Sequence, residues 1–542
     1  MVGKESTRSY LNALTGKGPF CLPAGRGNNN ILLITVDMVP PEFYLPWKAQ
    51  HEASGLNVAA ETPNLERLKR DGAFFTNAFC CSPLCTPSRA SYLTGRYSYI
   101  TTNSERAHDG HQVSLRDDDV IFPEYLKATG YRVRHVGKSH VGTHKFMDVF
   151  GENDSPWDRW SPPWFDDDGY YVFLQGMGLS RFSFARSIYG KDPSGTGNGN
   201  FYGGWIAAQQ GKPFTLEATY SYYLVEQAIE ALEAGNKEQP FYLQLDFFAP
   251  HQPFAIPGGM EEREREIRRQ IGLPASYAAI RENSFKPPWP EPRVYGLYRK
   301  NWGLEEPSIL LDYRVAHLLQ LELIDQALAR LFSYLEERGL YERLWIFLLA
   351  DHGEMNGEGS LIDKGAFINP QVMRVPLIIK PPASLFPFLQ GKTVDAPVSL
   401  LDLAPTILEL AGVDTEERLD GASLLADSPP ELEQRPIMAD IWAHVVPNPC
   451  VATVFRASDE GLYLFSYNAA DDLDELYRLN TPMENRNIIG DRVSREVLEE
   501  AFLKMDTLLA ADVRWRAYSS AFRLEYAEKL PFKRGDRQLF VK

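Results

Sequence analysis

The chain has 542 residues, a formal net charge of −16 and a hydrophobic fraction of 44%. That length supports a large buried core and more than one minimal domain. So acidic a chain lacks the basic field that duplex nucleic acid or an anionic membrane requires, so neither is expected as a partner, although a local basic pocket for a small anion stays open.

Residues 1–29 read as a polar lead-in without a continuous apolar signal region. No run is long and apolar enough to span a bilayer, and the cytoplasm is the expected compartment. The five cysteines, Cys21, Cys80, Cys81, Cys85 and Cys450, are odd in number and few for the length, which argues against a disulfide scaffold. Three fall within six residues and face no second Cys/His cluster, which argues against a closed zinc site.

From Asn30 to residue 428, apolar strands alternate with amphipathic helices that end in glycine. FPEYLKATG leads into YRVRHVG, SYYLVEQAIEALEAG into PFYLQLDFF, and a long helix from Asp312 into RLWIFLLAD. Short, almost wholly apolar strands between helices predict an α/β fold with a large, mostly parallel central sheet flanked by helices. Residues 152–216, rich in Gly, Asp and aromatics, and residues 255–310, with a charge run and a Pro-rich segment, read as insertions that shape a pocket or pad the surface. Residues 429–542 read as a smaller C-terminal α+β domain. Its basic tail, with Trp515, Tyr518, Phe522 and Tyr526, either docks on the body or on a second copy as a homodimer, or stays solvated.

In open parallel sheets, ligands bind beyond the carboxyl ends of the strands. ILLITV ends at Asp37, RVRHV runs into Lys138 and His140, FYLQLDFF into His251, and LWIFLLA into Asp351 and His352. Taken singly, such an Asp is a turn former or helix cap and such a His an ordinary core residue. Together they would share one edge. Asp37, Asp351 and His352 offer two hard oxygens and an imidazole for one divalent cation. Lys138, His140 and His251 offer positive charge and proton transfer, equipment for transferring a tetrahedral oxyanion.

The stretch CTPSRASYLTGR, residues 85–96, predicts a helix with Pro87 in its first turn and Cys85 at its positive end, where backbone donors favour an anion and lower a thiol pKa. Arg89, four residues on, is placed to pin whatever Cys85 becomes.

These residues strongly resemble the sulfatase family of the alkaline-phosphatase superfamily, whose signature C-x-P-S-R-x-x-x-L-T-G-R is filled at every fixed position. ILLITVD, GYRVRHVGKSH, APHQPF, DHGEMNGEGSLIDK, LDLAPTILELAG and LDGASLL are similar to further family segments, so the resemblance covers roughly residues 30–490. It implies that a formylglycine-generating enzyme oxidises Cys85 to Cα-formylglycine. The hydrated aldehyde attacks the sulfur of a sulfate monoester in line, and His251 protonates the departing alcohol or phenol. With His140 or a carboxylate as base, the second hydroxyl then expels sulfate by C–O cleavage. It also implies metal binding by Asp37, Asp351, His352 and the modified Cys85, with Arg89 and Lys138 orienting the diol and Lys138, His251 and Lys364 on the sulfate. The small-molecule substrate class is thus an aryl or alkyl sulfate.

Three positions depart from the family pattern. Met38 stands where a second Asp or a Gln is common, His352 replaces Asn, and Gly359 replaces a His. Imidazole draws the metal toward Mn or Zn and leaves Ca or Mg open. The Asp351-His352 pair is typical of phosphonate monoester and phosphodiester hydrolases, which makes that chemistry the alternative. A non-catalytic binding protein of the same fold is the reading from another class, with Met38 its only support.

Overall fold

The computed structural model describes residues 29–511 except 47–51, 104–113, 117, 142–144, 152–157, 160, 192–197, 237, 285, 303, 305, 386–388, 416–417, 425–433, 469–470, 472, 483 and 492–494. The lead-in up to residue 28 and the aromatic, basic tail lie outside the described residues.

The central sheet is built on β1 (Asn30–Val36), β2 (Ala73–Phe79), β3 (Arg132–Gly137), β6 (Phe241–Asp246), β8 (Leu344–Ala350), β9 (Arg374–Lys380) and β10 (Lys392–Val394). Its order is β10-β2-β9-β8-β1-β6-β3, with the short β11 (Val398–Ser399) also on β2. The pairs β3–β6, β6–β1 and β1–β8 are parallel; β9 is antiparallel to both β8 and β2. Only β9 therefore runs against the rest, and β1, β2, β3, β6 and β8 all deliver their carboxyl ends to one edge. The expectation of a mostly parallel sheet holds. Strands β1, β2, β8 and β9 are buried or nearly so along their whole length, as a sheet covered on both faces requires.

The covering helices include α1 (Cys85–Thr94), α2 (Phe122–Ala128), α3 (Tyr220–Glu233) and the 31-residue α5 (Pro307–Glu337). Pro307 fits the first turn of α5, where its missing N–H costs nothing. The first insertion contributes a hairpin, β4 (Phe184–Lys191) and β5 (Asn198–Ile206), whose second strand pairs with β7 (Phe254–Ile256). Trp164, Tyr170 and Phe182 of this insertion line a small cavity with Phe248. Trp164 and Phe182 are each 5% exposed, and Trp164 meets Phe248 edge-on with ring centroids 5.4 Å apart. The second insertion is helical and includes α4 (Arg293–Trp302).

A smaller antiparallel sheet follows, with β12 (Ile437–His444), β13 (Val446–Arg456), β14 (Leu462–Asn468) and β15 (Glu475–Arg478) in sequential order. Helix α6 (Arg495–Ala511) packs Leu498, Ala501 and Met505 into one apolar cluster with Phe465 and Leu476 of this sheet. Among the described residues no helix is long and apolar enough to cross a membrane.

Candidate active site

Each predicted site residue enters the same edge from a different strand. Asp37 follows β1, and its N–H donates to Ala249 O (3.2 Å), tying it to the His251 loop. Lys138 follows β3. Gly137 just before it has φ +102°, and a Cβ there would lie 2.0 Å from Asp246 O, so only glycine lets β3 lie this close to β6. Asp351 and His352 follow β8. Cys85 arrives from β2 through the N-terminus of α1.

The signature helix reads as structure throughout. Ser88 Oγ donates to Asp351 O (2.6 Å) and Ser91 Oγ to Pro87 O (2.7 Å). Gly95 closes the helix at φ +68°, its N–H donating to Ser91 O (2.8 Å), a conformation that glycine adopts freely. Arg96 leaves the helix to bond Asp119 (2.8 Å).

One ligand atom from each of Asp37, Cys85, Asp351 and His352 lies within 4.8 Å of the others, and all four residues are fully buried. Cys85 Sγ is 3.2 Å from His352 Nε2 and 3.9 Å from Asp37 Oδ1. His352 Nδ1 lies 2.8 Å from Gly353 O, which places its proton there and turns the Nε2 lone pair toward the cluster. Two carboxylates and an oriented imidazole suit a divalent cation. Met38 is not among these donors. It adopts φ +62°, its N–H donates to Asp351 Oδ1 (3.2 Å), and its sulfur lies 3.6 Å from Lys364 Nζ. Gly359 is likewise outside the cluster, its carbonyl accepting from Arg299 Nε (2.6 Å).

Arg89 reaches the carboxylates around Cys85. Its Nε donates to Asp351 Oδ2 (2.9 Å), its Nη1 to Lys138 O (2.8 Å), and its Nη2 lies 3.5 Å from Asp37 Oδ2. A third carboxylate, Asp246, lies 3.7 Å from Nη1. Arg89 thus holds the carboxylates that flank Cys85.

Cations ring the thiol. Lys138 Nζ donates to Asp37 Oδ2, lies 3.7 Å from Cys85 Sγ, and sits 5.2 Å above the Phe248 ring. Lys364 Nζ pairs with His251 Nε2 (2.9 Å) and Asp363 Oδ1 (3.1 Å). His251 Nδ1 donates to Gln252 O, and its ring tilts on Phe248 at 5.3 Å. Burial alone would raise the Cys85 pKa, but Lys138, Lys364 and His352 hold it well below the usual thiol range. Burial and Cys85 push Asp37 upward, and the charges of Lys138, His251 and Arg89 outweigh them and lower it. Burial depresses His140 against the raising effect of its hydrogen bond to Cys85. All nine predicted residues are therefore brought to one edge.

Several neighbours went unrecognised in the sequence. Asp246, inside β6, accepts from His135 Nε2 (2.9 Å) and Gln244 Nε2 (2.6 Å). From α5, Tyr313 donates to Glu354 Oε1 (3.0 Å) and His317 Nε2 lies 3.2 Å from Met38 O. Burial pushes His317 down to about 3, so its neutral ring donates to that carbonyl. Asp246 escaped notice because its charged partner Arg89 and its partner His135 lie on other elements and leave no local pattern.

The sulfatase family model matches residues 30–413, and a model described as "N-sulphoglucosamine sulphohydrolase, C-terminal" matches residues 357–510. Over 445 residues the chain is 27% identical to the "uncharacterized sulfatase YidJ" of Escherichia coli K12, covering 79% of this chain and 78% of that one. It is 25% identical over 418 residues to an arylsulfatase of Clostridium perfringens, covering 73% and 77%. Similar solved structures include the phosphonate monoester hydrolases of Silicibacter pomeroyi (TM-score 0.64, 21% identity, 89% of this chain and 94% of that one) and Agrobacterium radiobacter (0.65, 18%, 90% and 95%). At these identities the structures establish a shared fold.

Proposed function

The chain belongs to the sulfatase family and is a hydrolase, and from that premise we propose that it cleaves sulfate monoesters with a nucleophile made from Cys85. The observation that carries the reading is the convergence of Cys85 with two carboxylates, an imidazole and the two ammonium groups of Lys138 and Lys364 in one buried site. Oxidation of Cys85 to Cα-formylglycine by a formylglycine-generating enzyme would supply a hydrated aldehyde as nucleophile. A divalent cation (Ca, Mn, Mg or Zn) held by Asp37, Asp351, His352 and residue 85 would act as a Lewis acid toward that group and the sulfate.

The chain's own residues do the rest. Lys138 and Lys364 neutralise the sulfate oxygens. Arg89 fixes Asp37 and Asp351, and through the Lys138 carbonyl it fixes the lysine's backbone. In an in-line displacement, the leaving oxygen stands on the far side of sulfur from residue 85. With Nδ1–H held on Gln252 O, His251 would enter this step protonated at both ring nitrogens and give its Nε2 proton to that oxygen, leaving a neutral ring whose Nε2 accepts from Lys364 Nζ at 2.9 Å. His140 then takes the proton of the second hydroxyl, and sulfate leaves by C–O cleavage.

The proposed division of labour is residues 30–428 as the catalytic domain and 429–542 as a smaller C-terminal domain and tail. The four described cysteines are free and buried, which supports a cytoplasmic setting. A homodimer through the tail is part of the same reading. His352 in the donor set favours a second reading, hydrolysis of phosphonate monoesters or phosphodiesters. Rates on 4-nitrophenyl sulfate and on 4-nitrophenyl phenylphosphonate, side by side, test both. The proposal expects the sulfate to turn over faster and both activities to vanish in Cys85→Ala. Faster phosphonate cleavage favours the second reading, and turnover that survives Cys85→Ala overturns both.

A further inference from the structure

A cavity of about 250 Å³ lies apart from the candidate active site, and none of the nine residues assigned to that site lines it. Four parts of the chain meet around it: the single helical turn Pro41–Phe43 after β1, the helix Ala275–Glu282 of the second insertion, the segment between His352 and Lys364, and the loop after β15. Alanines and Trp289 give it an apolar wall, and Ala275 and Pro482 are exposed, so it opens to solvent.

The polar groups of the lining leave acceptors over. Glu42 takes Asn356 Nδ2 (2.8 Å) on one oxygen and Gln371 Nε2 (2.6 Å) on the other. The second bond orients the Gln371 amide, whose Oε1 accepts from Asn485 Nδ2 (2.8 Å). This chain of amides ends at Asn485 Oδ1, a buried oxygen with no donor. Glu484 is taken up by Arg374 Nη2 (3.2 Å) and the Asn480 N–H (2.9 Å). Arg486, which also lines the cavity, bonds Asp491 (2.9 Å). Glu358 is only 6% exposed. Its Oε2 accepts from Ser276 Oγ (2.6 Å), and its Oε1 has no hydrogen bond among the described residues. The charge of Arg314 acts on Glu358, but the Nη groups of Arg314 donate to the carbonyls of Gly272 and Ser54. Burial outweighs Ser276 and Arg314 and raises Glu358 to about 7, as for a carboxylate short of a cation.

We propose that this cavity binds a small organic primary ammonium ion, whose N–H groups donate to Glu358 Oε1 and Asn485 Oδ1 and whose apolar body lies against Trp289. Both unused polar atoms are acceptors, so the guest must bring donors, and a charged donor gains most from a buried carboxylate. An anion would meet the carboxylates of Glu42, Glu358 and Glu484. The apolar wall selects a guest with a hydrocarbon part over a bare metal ion.

Isothermal titration of the full chain at pH 8, where Glu358 is ionised, tests this with phenethylammonium, its neutral counterpart 2-phenylethanol and the anion 3-phenylpropionate. The ammonium should bind at least about tenfold more tightly than the alcohol, and the anion not at all. Glu358→Gln, which keeps the acceptor for Ser276, should weaken the ammonium by at least about tenfold and change the alcohol by less than about threefold. Asn485→Leu, in the partly exposed loop, should weaken the ammonium as well, and Trp289→Ala should weaken ammonium and alcohol alike. Thermal melting of each variant separates a folding defect from a lost contact. Absence of ammonium binding, equal binding of the alcohol, or parent-like binding in both Glu358→Gln and Asn485→Leu overturns the proposal. The titration reads no turnover, so such a result leaves the sulfate-ester reading standing, and an inactive chain that binds the ammonium leaves this proposal standing.

Discussion

Cys85 and Arg89 are both fully buried and lie one helical turn apart, yet their removal should leave opposite signatures. The Cys85 thiol packs among polar groups, and in the proposed reaction residue 85 provides the nucleophile, so Cys85→Ala should abolish turnover while costing about 1 kcal/mol of stability or less. Arg89 compensates Asp37, Asp351 and Asp246, none of which meets solvent. Its loss leaves buried carboxylates unpaired, and Arg89→Ala should destabilise by about 3–5 kcal/mol as well as end activity. Denaturant unfolding of the two variants beside the parent reads both numbers. An Arg89→Ala protein as stable as the parent would show that the carboxylates do not depend on the guanidinium.

At the scale of elements, α4 of the second insertion is pinned to β15 of the smaller sheet through Glu475. Its carboxylate accepts from Tyr295 (2.7 Å), Asn468 (2.9 Å) and Tyr477. Burial outweighs these bonds and raises its pKa from the ordinary 4.5 to about 7. The folded state then keeps a proton that the unfolded chain releases. Stability is greatest below the unfolded value, falls as pH rises toward 7, and is level above that. Glu475→Gln removes the titration, so its stability relative to the parent should improve by about 3 kcal/mol between pH 5 and pH 8. Melting curves of both proteins at the two pH values check this, and a difference that does not change with pH would contradict it.

Elements also explain what could be read in advance. Asp37, Lys138, His251 and Asp351 were legible because each follows a short apolar strand, and a parallel sheet sends such ends to one edge. The strand that delivers Cys85, AFFTNAF, escaped notice, because its place beyond the antiparallel β9 is set by pairing with residues almost 300 positions away. The targets of Arg89 were equally hidden, since three carboxylates from three strands meet it only in the folded chain. The aromatic first insertion reads as a pocket wall, and Trp164 lines a small cavity with Phe248, on which His251 and Lys138 rest.

At the scale of the whole molecule, two domains and two insertions bear on one edge of one sheet. The catalytic sheet supplies the charged groups, and the insertions steady His251 through Trp164 and the Lys364 segment through Tyr298. Asn448, which like Tyr298 bonds Ala366, comes from a sheet that starts some 70 residues after that segment, which is why no spacing in the sequence announced it. The account as a whole stands on residue 85 being the nucleophile in a chemically altered form. The measurement that tests it most directly is mass spectrometry of the proteolytic peptide containing Cys85, from protein that hydrolyses a sulfate ester. The account predicts a peptide lighter than the cysteine form that is captured by a hydrazide, as an aldehyde is. An unmodified thiol at residue 85 in fully active protein would contradict it.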